Sequence, residues 1–275
     1  MQRPIDPEIL KAKPEVMKLF TDKLGRPKKT PYYITQIQTL LENYYFPWIT
    51  YQATKQLVEE KVLSRTETKT KYSDAVFLFN AKLDKPPFRH SIDAHIKSTC
   101  KLIDKYSDPN VCKAYGEHLE GLVKAELRAQ GFTIVGVHTN KYNDQEWAQT
   151  GHNLDFVAEH RSSKLKIGVE VKNTLPMIER EELEVKLDMC DFLGLTPIFA
   201  VRWLKPYTEL IRQRGGFSWI FKTQIYPPGF DELTKLLWKR LSIQSLKLDW
   251  PVNVRTELPE KSVLIFQNWI KTQTS

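Results

Sequence analysis

The sequence predicts a mixed α/β protein: a mixed sheet with helices on its faces, preceded by a small helical unit that ends in a β-hairpin. Two observations predict this class. Between residues 109 and 241, apolar stripes at helical spacing alternate with short runs of strand type. Before residue 80, three helical patterns are followed by two runs with strand alternation. These changes of pattern divide the chain into four predicted segments. They are a first domain (1–85), a connecting helix (86–112), a second domain (113–245) and a C-terminal extension (246–275).

The first 80 residues are predicted to contain three helices and the hairpin. Helical spacing runs through "PEVMKLFTDKLG", which closes on Gly25, and through "PYYITQIQTLLEN", which opens on Pro31. Thr50 is the expected N-cap of the third helix, in "TYQATKQLVEEKVL". Strand alternation then follows in "VLSRTETKT" and "DAVFLFN", which a basic turn joins.

Three helices followed by a two-stranded wing is the order of a winged helix-turn-helix, and this segment resembles that class. The resemblance implies that the third helix enters the major groove of DNA, with its early residues at the base edges. The side chains that it assigns to base contacts are Tyr51, Gln52, Thr54, Lys55 and Gln56. Lys69 and Lys71 in the wing are the matching candidates for phosphate contacts. Winged helices also serve as protein–protein modules, which is the alternative.

The distribution of charge agrees with a polyanionic partner. The chain carries a formal net charge of +8. Residues 1–114 hold 20 Lys and Arg against 13 Asp and Glu, so this part of the chain has a net charge of +7 and the remainder has +1. A localised basic excess is typical of nucleic-acid binders, and double-stranded DNA is the partner we expect. An ordinary solvated surface would show the same charge.

Composition and cysteine usage predict a cytoplasmic globular protein. Hydrophobic residues make up 41% of the chain and charged residues 27%. The three cysteines lack the C-x-x-C spacing of a zinc site, and their scatter suits a reducing compartment. The N-terminal "MQRPIDPEIL" has no apolar signal core, and no apolar run is long enough for a bilayer, so no membrane partner is expected.

From residue 109 the predicted order is α-β-β-β-α-β-α-β-α. A connecting helix over 86–112 precedes it. A C-terminal extension follows, in which the amphipathic "SVLIFQNWIK" either packs on its own domain or forms a homodimer interface. "MIEREELEVKLDMCDFLGL" is a charged helix on which Arg180 and Lys186 are either phosphate contacts or, as the ordinary Glu–Lys spacing favours, surface charges.

The predicted hairpin "NLDFVAEHRSSKLKIGVEVKN" carries charges that strands seldom bury. Asp155 interrupts its first strand, and Glu170 and Lys172 interrupt the second. Because successive side chains on a strand alternate faces, Glu170 and Lys172 point the same way. Antiparallel pairing around a turn at 163–164 would set Asp155 opposite Lys172. Two carboxylates and an ammonium would then converge at one edge of a sheet.

This convergence suits the hydrolysis of a phosphodiester. Two carboxylates and a backbone carbonyl make a hard oxygen site for Mg²⁺, which keeps several of its waters. Such a metal lowers the pKa of a bound water and polarises a phosphoryl oxygen. A lysine beside it can position the attacking water and offset the charge that develops on the phosphorane. A structural ion-pair cluster at a sheet edge is the alternative.

At these residues the chain resembles the PD-(D/E)xK nuclease superfamily, whose motif is an acid on one strand and an acid-x-Lys on the next. Asp155 matches the first acid, and Glu170-Val171-Lys172 matches the second element. Leu154 stands where the proline that gives the family its name would be. Family members often carry a glutamate on the preceding helix, and Glu120 is the candidate for it. The resemblance implies a restriction-endonuclease-like core over roughly 113–225.

The resemblance also implies an activity: metal-dependent cleavage of DNA that leaves a 5′-phosphate. Asp155, Glu170 and the Val171 carbonyl would bind Mg²⁺, for which Mn²⁺ would substitute, with Glu120 assisting and Lys172 positioning the water. We expect an endonuclease, with sequence-specific restriction favoured and a homodimer as one way to cut both strands. The alternatives are a structure-specific repair or Holliday junction nuclease, a non-catalytic DNA-binding protein with a degenerate nuclease fold, and RNA as substrate.

Overall fold

A computed structural model describes residues 6–204, 207–241 and 252–274. They form two compact units: the residues up to Val111 together with Lys239–Leu241, and Cys112–Trp238 together with 252–274. The predicted mixed α/β class is confirmed. The predicted domain limit at residue 245 lies outside the described residues. Each helix in the described ranges is too short or too polar to cross a lipid bilayer.

The first and third helices of the first unit begin earlier than the sequence predicted, and the second begins later, at Ile34 instead of Pro31. In chain order its elements are α1 (Pro7–Phe20), β1 (Tyr32–Tyr33), α2 (Ile34–Leu41) and α3 (Pro47–Glu59). The Asp6 carboxylate caps α1 by accepting the Glu8 N–H. α3 begins with Pro47 at its first position, where the missing N–H costs nothing. The predicted cap, Thr50, therefore lies inside the helix, where it is buried.

A hairpin follows these helices, as predicted, and the next helix packs against it. Its strands are β2 (Leu63–Lys69) and β3 (Asp74–Asn80), and the three-stranded sheet has the order β1-β3-β2. After a 3₁₀ turn comes α4 (Phe88–Tyr106). Apolar side chains of α4 form one core with Phe77 and Phe79 of β3. The segment predicted as a connecting helix is thus part of the first unit.

The second unit contains most of α5, most of α8 and a five-stranded sheet. Its elements in chain order are α5 (Pro109–Ala129), β4 (Phe132–Thr139), β5 (Lys141–Tyr142), β6 (Gln145–Glu146), β7 (Leu154–His160), β8 (Lys166–Lys172), α6 (Arg180–Leu193), β9 (Thr196–Val201), α7 (Thr208–Gln213), β10 (Phe217–Ile220), β11 (Gln224–Tyr226), α8 (Asp231–Leu241), β12 (Val252–Val254) and α9 (Glu260–Thr274). The short β5–β6 hairpin was not predicted.

The large sheet is mixed and is covered on both faces. Its strand order is β10-β9-β8-β7-β4; β4, β7 and β8 pair antiparallel, and β8, β9 and β10 pair parallel. Alternation along β9 separates the two cores. Ile198 and Ala200 pack with side chains of α5 and α9, whereas Phe199 and Val201 pack with side chains of α6. A sheet buried on both faces accounts for the nearly apolar sequence of β9.

The C-terminal helix packs on its own unit. Phe266 of α9 is fully buried, and its ring stacks on that of Trp219 with 4.1 Å between the ring centroids. Leu264 and Ile265 on the same helix are exposed. Of the two predicted roles for this segment, packing on its own domain is observed.

The β7–β8 hairpin has a register different from the predicted one. Its pairing includes Phe156 opposite Val169 and Glu159 opposite Lys166. Extended by one residue, this register would set Asp155 opposite Glu170, whereas the sequence predicted it opposite Lys172. The turn causes the shift: the N–H of His160 donates to the carbonyl of Leu165, which centres the turn at 162–163.

Candidate functional site

The predicted acids meet where β7 begins and β8 ends, beside α5. One oxygen of Asp155, Oδ2, accepts the backbone N–H of Val171 at 2.6 Å. This bond ties the first acid to the middle of the Glu-Val-Lys element. Asp155 also lies close enough to Glu170 and Glu120 for its negative charge to raise the pKa of both. The four predicted residues are therefore brought into one cluster.

Glu170 is held by a lysine that was expected on the surface. The Nζ of Lys186 lies 2.6 Å from Oε2 of Glu170, and both residues are only 5% exposed. Lys186 also donates to the carbonyl of Asn153, which precedes β7. The sequence contained a sign of this position: Lys186 lies three residues after Leu183 and four before Cys190, on the buried face of α6.

Lys172 is paired with the same helix. Its Nζ lies 2.5 Å from Oε1 of Glu182, and both side chains are partly exposed. The predicted water-positioning ammonium thus has a carboxylate partner at the rim of the cluster. Arg180 pairs with Glu184 in an exposed i,i+4 contact, as expected for an ordinary helix surface.

His138 at the end of β4 joins the cluster, although the sequence did not single it out. Its Nε2 lies 3.6 Å from Glu120 Oε2, and its Nδ1 lies 3.6 Å from Asp155 Oδ1. Its backbone has a φ of 46°, in the left-handed region that few residues other than glycine adopt. Only its position at the end of a strand pointed to this role.

All three carboxyl groups of the cluster hold their protons more tightly than usual. Burial raises the pKa of Glu170 to about 7, and the neighbouring Asp155 adds to the effect. Burial also raises the pKa of Asp155. The hydrogen bond from the Val171 N–H favours the charged form and lowers this pKa, but burial has the larger effect. The pKa of Glu120 is raised by burial and then by Asp155. Such a concentration of perturbed acids is characteristic of functional sites.

A buried asparagine fixes the chain just after Lys172. Asn173 Nδ2 donates to the carbonyls of Tyr115 and Ile225, at 2.7 and 2.6 Å. Its Oδ1 accepts the N–H of Ile225, and its own carbonyl accepts Gln224 Nε2. The end of β8 is therefore tied to α5 and to β11, which limits movement of the cluster.

The side chains of the cluster offer few ligands for the expected metal. Within the described ranges, no group of three or more His, Cys, Asp or Glu side chains is arranged to hold a metal ion. Asp155 and Glu170 nevertheless supply carboxylate oxygens from adjacent strands. Mg²⁺ needs only one or two carboxylates, since it keeps several waters and shares substrate phosphates. The chemistry of these two residues thus fits Mg²⁺, whereas a fully protein-ligated cage does not form.

The predicted DNA-facing residues of the first unit divide between surface and interior. Tyr51 and Lys55 are exposed, and they line a cleft with Arg65 of β2. Gln52 and Gln56 are partly exposed. Thr54 is 2% exposed and its hydroxyl donates to the carbonyl of Tyr51. Its side chain is therefore not on the surface, where the predicted base contact would need it.

The two predicted wing lysines are both exposed, but they differ in their surroundings. Lys69 lies at the end of β2. Lys71 lies in the turn, where its N–H donates to Asp104 of α4 and its ammonium lies 4.8 Å from the centre of the Tyr72 ring. The hydroxyl of Tyr72 donates to Asp108. Because the turn is held against two acids, Lys69 is the freer cation for a phosphate.

Comparison of the chain with protein-family models, with curated proteins and with solved structures found no match.

Proposed function

We propose that the protein is a metal-dependent DNA endonuclease. The observation that carries the proposal is the meeting of Asp155 and Glu170 on adjacent strands, with the Val171 N–H donated to Asp155. This arrangement agrees with the acid and acid-x-Lys pattern in which the chain resembles the PD-(D/E)xK nucleases. The mixed sheet, with α5 before it and α6 after the motif, is compatible with a restriction-endonuclease-like core.

Each residue of the cluster has a role in this proposal. Asp155 and Glu170 bind Mg²⁺, with the Val171 carbonyl as a further ligand and Glu120 assisting from α5. The metal, when bound, supplies a more acidic water and a polarised phosphoryl oxygen. Lys172 positions the attacking water and offsets the charge of the transition state. In that role Lys172 exchanges its contact with Glu182 for one with the substrate.

The first unit supplies a reason for DNA to be the substrate. Its three helices and hairpin support the winged-helix-like assignment, with α3 as the helix that meets DNA. Tyr51, Lys55 and Lys69 are the exposed side chains that would make the contacts.

Cleavage of a long duplex of random sequence, followed by sequencing of the ends, separates the substrate classes. One recurrent motif supports restriction, whereas cuts confined to junctions or flaps support a repair role.

The nuclease proposal is tested by Lys172→Ala. We expect plasmid cleavage in Mg²⁺ to fall at least about 100-fold, because one donor to the developing charge contributes that much to the rate. Lys235→Ala is the matched control, since Lys235 pairs with Glu232 on an exposed helix surface. EDTA should abolish cleavage by the wild type. Equal cleavage by the wild type and Lys172→Ala contradicts the assignment.

A second candidate function is a DNA-binding protein whose nuclease fold has lost catalysis. One observation favours it: Glu170 and Lys172 are each already paired, with Lys186 and Glu182. Calorimetric titration with Mn²⁺ separates the two candidates. A degenerate site binds no Mn²⁺, whereas the proposed nuclease binds it in the absence of DNA.

A further inference from the structure

Lys186 links the two strands that carry the acids. Its ammonium donates to Oε2 of Glu170 on β8 and to the carbonyl of Asn153, two residues before Asp155. An ammonium has three donors on one atom, so a single side chain can set the separation between these two points. Because Lys186 is 5% exposed, it has no surface to offer to a DNA phosphate.

Stability alone does not account for this buried pair. Taking two charges out of water costs about as much as their attraction returns, and apolar side chains of similar volume often serve as well. The neighbours of Lys186 on α6, Leu183, Leu187 and Cys190, are all buried and would accept such a replacement. A function that needs the carboxylate of Glu170 held in place gives the lysine a reason to be there.

We propose that Lys186 is a positioning residue: it holds Oε2 of Glu170 and the start of β7 so that the other oxygen of Glu170 and the carboxylate of Asp155 face one divalent cation. This inference rests on the proposed function. A partner that orients a ligating carboxylate contributes about 10- to 100-fold to metal affinity or activity. Lys186 itself contacts neither metal nor DNA.

The test is calorimetric titration of the full chain with Mn²⁺, without DNA. Lys186→Met keeps the length of the side chain and removes the donors, and we expect its Kd for Mn²⁺ to rise about 10- to 100-fold. Lys186→Gln keeps a polar donor and should fall between Lys186→Met and the wild type. Arg180→Met is the matched control on the same helix, because Arg180 is exposed and pairs only on the surface; its Kd should equal that of the wild type.

The outcomes separate this inference from the function on which it rests. If the wild type binds no Mn²⁺, both are overturned. If the wild type binds Mn²⁺ and Lys186→Met binds it equally well or more tightly, the positioning role alone is overturned. Thermal unfolding in EDTA shows whether the variants fold. If they do not fold, the Nζ resonance of Lys186 in the wild type decides: a shift on addition of Mg²⁺ supports the role, and an unchanged resonance overturns it.

Discussion

At the scale of single residues, Glu170 shows how a buried acid couples folding to pH. Its carboxyl ionises near 4.5 in an unfolded chain and at about 7 in the fold, because burial penalises the charged form. The folded protein therefore binds this proton more tightly than the unfolded chain. Stability from this group is present below pH 4.5, and it is lost as the pH rises towards 7.

Replacement of Glu170 by glutamine removes this dependence. Between pH 4.5 and 7.5 we expect the free energy of unfolding of the wild type to fall by up to about 3 kcal/mol relative to Glu170→Gln. Urea unfolding in EDTA across this range measures the difference. Glu232→Gln, at a highly exposed position, is the control. Parallel profiles for the wild type and Glu170→Gln would show that the carboxyl is not perturbed in this way.

The backbone at His138 supports a second prediction. A residue with a side chain pays about 1 kcal/mol or more in the left-handed region, and glycine does not. Since φ at His138 is 46°, His138→Gly should be more stable than His138→Ala by about 1 kcal/mol, although both lack the imidazole. Chemical unfolding of the two variants tests this difference. Equal stabilities would mean that β4 does not hold this strained backbone in solution.

At the scale of elements, the end of β8 depends on contacts from outside the sheet. Asn173 connects it with α5 through Tyr115 and with β11 through Ile225. These bonds satisfy backbone groups of two buried residues, Tyr115 and Ile225. The position of Lys172, the residue before Asn173, is therefore set by β8 together with α5 and β11, which are distant from one another in the sequence.

Loss of the Asn173 side chain should destabilise the protein. Asn173→Ala leaves buried backbone groups of Tyr115 and Ile225 without these partners, at about 1–3 kcal/mol for each unsatisfied group. We expect a loss of about 2–4 kcal/mol in urea unfolding. Asn268→Ala, on the exposed side of α9, should change stability by less than about 0.5 kcal/mol. A similarly small effect at Asn173 would refute the proposed anchoring.

At the scale of the whole molecule, charge and chemistry lie in different parts of the chain. Residues 1–114 carry a net +7 of the total +8, whereas the acid cluster lies in the second unit. Binding of DNA through phosphate contacts releases counterions, so affinity falls as salt rises. The proposed function thus assigns attraction mainly to the first unit and hydrolysis to the second.

Salt dependence tests this division. Lys69→Ala removes one exposed cation of the hairpin, and it should weaken DNA binding uniformly across sequences. The slope of log affinity against log salt should shrink by about 1. Fluorescence anisotropy with a labelled duplex measures both effects. Lys261→Ala, at an exposed position of the second unit, should leave the slope unchanged; an equal change in both variants would contradict the division.

The agreement between sequence and structure depends on how local each feature is. β4, the hairpin strands β7 and β8, and α6 follow the predicted pattern, because alternation and helical spacing are properties of neighbouring residues. The register of β7 against β8 was wrong, since the contact between His160 and Leu165 that closes the turn has no clear sequence pattern. Thr54 was placed on the surface, although the packing of α3 buries it.

The sequence by itself determined the mixed α/β class, the order of the longer helices and strands, and the candidate acids Asp155, Glu170 and Glu120. These features depend on the types of residue and on their spacing along the chain, so they can be predicted without the folded structure. Only the tertiary structure decided that Lys186 holds Glu170, that Glu182 holds Lys172, and that His138 lies beside Asp155 and Glu120. These partners come from α6 and β4, and only the packing of those elements around the hairpin brings the charges within reach of one another.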